Sequence, residues 1–112
     1  MISVADLKKH FLQLCTDEEV DVQWCDNPSN ALALSGELEF ILTPHIRSEN
    51  AYAIAMHELG HIKSPTHSAD QTERERSAWD WARHNALIWT PRMEGCAAAS
   101  IRWYEAQRLR ST

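Results

Sequence analysis

Two histidines four residues apart, with a glutamate directly after the first, carry the clearest chemistry in the chain: His57-Glu58-Leu59-Gly60-His61. On a helix, four residues rise about 6 Å and return to nearly the same face. Both imidazoles can then converge on one divalent ion, with Zn–N bonds of about 2.0 Å. Glu58 is turned roughly 100° from His57, which leaves it free to act as a base instead of a ligand. An ion held there lowers the pKa of water towards about 7. Glu58 is then placed to take the proton and pass it to a leaving amine. The plain alternative is a pair of hydrogen-bonded core histidines beside a buried Glu, which is costly when the acid lacks a partner.

A catalytic zinc site needs a third protein ligand and one open position. Glu75 and His67 are the leading candidates, with Glu73 and Asp80 behind them. His67 lies six residues beyond His61, the metzincin spacing, with Ser64 at the position that family gives to Gly. Ser64-Pro65 restricts the turn that this spacing requires. Glu75 begins a helix face that continues as Ala78, Trp79, Ala82 and Ala86, and its alanines allow a close approach to a neighbouring helix. Read alone, Thr72 with Glu75 is a capping box. One zinc ion per chain is the expected cofactor, because two imidazoles and a carboxylate suit it. Tyr104, Tyr52 and His84 are candidates to stabilise an oxyanion, Tyr104 first among them as a catalytic residue. The pattern places His84 towards solvent, and His10 and His45 read as surface or strand-end residues.

Certain elements must position these groups. Ser3 and Asp6 cap a first helix over about 4–15, with Val4, Leu7, Phe11 and Leu14 at helical spacing. Val20, Val22 and Trp24 alternate with polar residues as a strand buried on one face. Residues 31–35 and 38–42 read as two short strands joined around Gly36-Glu37, a hairpin that Pro44 ends. The second of these strands precedes the His57 helix, where it is either an edge strand open to an extended peptide or an interior strand. Ser48 caps the strongly apolar helix that holds His57 and His61, and Lys63-Ser64-Pro65 ends it. Thr72 starts a third helix to about Ile88, and Thr90-Pro91 starts a fourth with Met93, Cys96, Ala97, Ile101 and Tyr104 inward. The class is α+β: one helix, a small three-stranded and mostly antiparallel sheet, the His57 helix, then two C-terminal helices.

Composition bounds the function. The chain has 112 residues, read as one domain over 1–112, with 11 Lys+Arg against 16 Asp+Glu for a net charge of −5. A generally basic nucleic-acid binder is not indicated. The charge is uneven, and all the basic residues from 71 onward are Arg, which reads as a solvated helix face. Cys15, Cys25 and Cys96 make an odd count without a CxxC pair, so they read as reduced thiols. No apolar run is long enough to span a membrane, and the N-terminus lacks a signal-peptide pattern. A soluble cytoplasmic protein is expected. Trp79, Trp81 and Trp89 sit in or beside the third helix and cannot all point one way, so core packing accounts for only some of the tryptophans.

The His57–His61 motif, followed by Glu75, Ala78, Trp81-Ala82, Ala86-Leu87-Ile88 and Pro91, resembles the ImmA/IrrE group of metallopeptidases over about residues 38–91. The resemblance implies a minimal zincin of gluzincin type, with His57, His61 and Glu75 as metal ligands and Glu58 as the catalytic acid–base. Ser77 and Trp79 stand where that family often has Glu and Asn or Asp. The implied function is a zinc endopeptidase that cuts a protein substrate, such as a regulatory protein of a phage or mobile element. A regulatory partner supplied by another chain would make any link to DNA. Two other readings follow from the sequence. One is a non-catalytic zincin-fold module that binds protein; the other is a nucleic-acid-associated factor using the Arg-rich helices, whose binding would weaken steeply with salt.

Overall fold

A computed structural model describes residues 1–27, 30–34, 39–64 and 68–110. In chain order the elements are α1 (Val4–Asp17), β1 (Asp21–Cys25), β2 (Leu32–Leu34), β3 (Phe40–Pro44), α2 (Glu49–Lys63), α3 (Gln71–Asn85) and α4 (Pro91–Arg110). The fold is α+β, as its periodicities predict. The N-terminal capping box forms, with the Ser3 side chain accepting from Asp6 N and Asp6 accepting from Ser3 N. The expected hairpin turn, Gly36-Glu37, lies outside the described residues, as do His67 and Pro65.

The sheet differs from the expected mostly antiparallel one. Its order is β1-β3-β2, with β1 parallel to β3 and β2 antiparallel to β3. The strand before α2 is therefore interior, and β2 takes the edge beside it. Register explains which face is buried. Val22 lies opposite Ile41, Trp24 opposite Thr43, and Ala33 opposite Ile41, so these side chains share one face of the sheet. Ile41 and Thr43 are fully buried there, while Leu32 and Leu34 on the other face stay largely exposed. Helix α2 packs on that inner face, and Phe11 of α1 meets Trp24 at a ring separation of 6.4 Å.

Helix α2 is the centre of the molecule: Tyr52, Ala53, Ala55, Met56 and Leu59 are all fully buried. Ser48 caps it by accepting from Ala51 N at 3.1 Å. Helix α3 lies against it through Ala78 and Ala82, both fully buried. Helix α4 closes the core with Met93 and Ala97, and Thr90 Oγ1 accepts from Met93 N at its start, as expected. Cys15, Cys25 and Cys96 are free thiols, and burial pushes the Cys15 thiol up to about 12. Among the described residues, no helix is long and apolar enough to cross a membrane.

Candidate metal centre

His57 and His61 project from one face of α2, one turn apart, and their rings meet edge to face with centroids 4.5 Å apart. Glu75 reaches them from α3. Its Oε2 lies 2.9 Å from His61 Nε2 and in still closer contact with His57 Nε2. Ligand atoms of all three residues lie within 4.8 Å of one another. His57 and Glu75 are buried, while His61 is partly open, leaving one side of the cluster accessible.

Two local features bring Glu75 into range. The first is the start of α3. Asp70, not Thr72, is the N-cap: its Oδ1 accepts from Thr72 N at 2.8 Å and from Glu73 N at 3.3 Å. The helix therefore begins earlier than the Thr72–Glu75 capping box predicts, and Glu75 lies within its second turn with its carboxylate facing α2. The second feature is Gly60. A Cβ built there would stand 2.4 Å from the carbonyl oxygen of Ala78. Only a residue without a side chain lets α3 approach this closely, and a shorter helix separation is what a Glu side chain needs to touch both imidazoles. At the end of α2, the Ser64 and Ser77 hydroxyls meet and fasten the two helices.

Electrostatics follow from burial and contact. Desolvation alone lowers the His57 pKa, but hydrogen bonds and charges from Glu58 and Glu75 outweigh it and raise it to about 9. Desolvation alone raises Glu75, but both imidazoles outweigh it and hold the carboxyl far below the usual carboxylate range. Each charged form here stabilises the other, as opposite charges in close contact do. Two imidazole nitrogens and one carboxylate oxygen gathered this closely could hold a divalent metal ion.

The other expected residues separate cleanly. Glu58 is buried, with Oε1 3.4 Å from His57 Nδ1, so it stands beside the cluster without joining it. Tyr104 comes in from α4. Burial, then the charge of Glu75, a hydrogen bond to it and the charge of Glu58, push its phenol up to about 12. It is a protonated donor at neutral pH, at the site. Tyr52 is not at the site: its hydroxyl shares a hydrogen bond with His10 Nδ1 at 2.8 Å and accepts from Leu87 N at 2.9 Å. His10 is accordingly half-buried and bonded, not a simple surface residue. His84 is exposed and bonds the Asp80 carbonyl, as its position predicts. Asp80 is exposed and paired with Arg83, and Glu73 is exposed and accepts from Ser68 at 2.5 Å, so neither is a third ligand here. His45 stacks on Trp24 at 5.5 Å.

Sequence reasoning placed Trp79 on the Glu75 face but gave it no role. Its indole lies against His57, with ring centroids 4.2 Å apart and planes 15° from parallel. Its position one turn beyond Glu75 is the signal that could have identified it. Gly60 was also passed over, although an isolated Gly inside an apolar helix usually marks close packing.

No protein-family model, curated protein or solved structure matches the chain.

Proposed function

We propose that the chain is a zinc-dependent endopeptidase of the ImmA/IrrE-like, gluzincin kind, hydrolysing a peptide bond in a protein substrate. The observation that carries the reading is the convergence of His57 Nε2 and His61 Nε2 on Glu75 Oε2, with Glu58 alongside but outside the ligand set. Zinc held by His57, His61 and Glu75 would supply Lewis acidity for water and for the scissile carbonyl. Glu58 accepts a proton at its carboxylate and delivers it to the departing amine. Tyr104 donates its phenol hydrogen to the oxygen on which charge develops. Trp79 and the α2–α3 contact exclude water from the buried side.

Space for a peptide lies next to this machinery. One turn before Glu75 on α3 opens a cleft of about 550 Å³, lined by Thr72, Trp103, Tyr104, Gln107 and the Asp70–Arg108 ion pair. Tyr104 lines this cleft and also bonds Glu75, so a chain bound there would lie beside the metal centre. The Arg-rich helices carry part of their charge in ion pairs within the fold. Three of the seven arginines from residue 71 onward are engaged in ion pairs, Arg76 with Glu105, Arg83 with Asp80 and Glu94, and Arg108 with Asp70.

The test is a digest of a proteome-derived peptide library by zinc-loaded protein, read as new N-termini. The wild type should generate a defined set, and Glu58→Gln should lose it by about 10²–10⁴-fold while keeping its zinc. A second reading, a zincin-fold module that binds protein without cutting it, draws on one observation: an indole stacks on the face of the His57 ring, and the only group near its Nδ1 among the described residues is Glu58 at 3.4 Å. Full biological activity in Glu58→Gln would favour that module and remove the peptidase.

A further inference from the structure

We propose that Trp79 is the positioning residue of the ligand His57, its indole face doing what a hydrogen-bonded acceptor ordinarily does for a metal-bound imidazole. This role rests on the metal-site reading above.

An imidazole that binds a metal through one ring nitrogen ordinarily donates its other N–H to a carboxylate or carbonyl, which fixes the tautomer and the ring rotation. His57 directs Nε2 at Glu75. On its Nδ1 side stands Glu58 Oε1 at 3.4 Å, a long and weak hydrogen bond to the residue required as the base. Packing supplies the firmer constraint on the ring. The Trp79 ring lies 4.2 Å from that of His57 and within 15° of parallel, and Trp79 is 2% exposed. Because Trp79 follows Glu75 by one helical turn, the same stretch of α3 delivers both a ligand and the plate behind another ligand.

The plate is itself braced. Trp89 meets Trp79 edge-on at 6.4 Å and 63°. Trp89 Nε1 donates to Glu94 Oε1 at 2.8 Å, and Arg83 grips both Glu94 oxygens at 2.7 and 2.9 Å. A continuous set of contacts thus runs from the start of α4 to the ligand ring. Trp79 Nε1 is buried and has no hydrogen-bond partner among the described residues, so the side chain acts through its flat face and not through its donor. A ring held flat cannot rotate about its bond to Cβ, and a site ordered before the ion arrives binds it more tightly.

The experiment uses the full chain and zinc alone as probe. Zinc affinity against a competing chelator, and the rate of zinc release, are compared for wild type, Trp79→Leu and Trp79→Phe. Trp79→Leu should bind zinc about 10–100-fold more weakly and release it faster. Trp79→Phe, which keeps a flat ring, should recover most of that loss. A second readout needs no variant: in zinc-loaded wild type, the His57 ring protons should be shifted upfield of those of His61 by the Trp79 ring current. Wild-type zinc affinity and release in Trp79→Leu would overturn the role, as would His57 and His61 ring protons with equal shifts. A wild type that takes up no zinc would overturn the metal site itself, a different failure.

Discussion

Gly60 and Ala78 are in backbone contact: a Cβ on Gly60 would lie 2.4 Å from the Ala78 carbonyl oxygen. Gly60, directly before His61, thereby sets the distance at which α3, and the Glu75 it carries, stands from α2. Fold and site depend on one approach distance.

Gly60→Ala therefore separates two effects. Helix propensity favours Ala by up to about 1 kcal/mol, while forcing a methyl group into a packed backbone costs about 1–3 kcal/mol. Ala78 is backbone here and cannot yield cheaply, so the variant should be less stable in urea and weaker for zinc. Gly95 is the control, with nothing within 4 Å of a Cβ placed there. Gly95→Ala should stabilise α4 by about 0.5–1 kcal/mol and leave zinc binding unchanged.

Tyr52→Phe removes the hydroxyl that accepts from Leu87 N and is hydrogen-bonded to His10. A partly buried donor left without its partner costs about 1–3 kcal/mol. Urea unfolding should record that loss with zinc stoichiometry intact. A normal stability with lost activity would instead return Tyr52 to the catalytic machinery.

The legibility of the site in the sequence was uneven, for physical reasons. The cluster of His57, His61 and Glu75 was readable because helical periodicity is local: the two histidines share a face by spacing alone, and Glu75 heads a face of alanines. The start of α3 was misread because Thr72 and Asp70 both offer capping oxygens, and only the three-dimensional path of the chain selects Asp70. The parallel pairing of β1 with β3 joins residues about twenty positions apart, beyond the reach of local pattern. The Tyr52–His10 bond, across 42 residues, is of the same kind. Trp79 was legible in position, but its contact with His57 depends on a helix separation that Gly60 sets.

The pH response of the metal-free chain follows from His57 and Glu75. His57 is raised from 6.5 to about 9, so its contribution to stability is complete below 6.5 and is lost as pH rises through about 9. Glu75 is depressed, so its contribution is present above 4.5 and is lost as pH falls towards its lowered pKa. With chelator present, the stability difference between wild type and His57→Gln should shrink between about pH 6 and about pH 9.5. Zinc should reverse the trend, since ligand imidazoles must be neutral and uptake releases protons. A difference that grows with pH in the metal-free chain would contradict the ion pair.

Tyr104→Phe tests the donor from α4. Zinc content and stability should stay near wild type, while turnover falls by about a hundredfold or more, the usual effect of losing one oxyanion donor. Unchanged turnover would leave Tyr104 as a wall of the cleft only.

The most direct test of the central claim is the metal content of the purified protein, by elemental mass spectrometry, beside His57→Ala and Glu75→Ala. The expected result is one zinc per wild-type chain and none in either folded variant. Zinc retained by Glu75→Ala and lost on removing His67 would contradict the site described, as would a wild type that holds no metal when zinc is supplied.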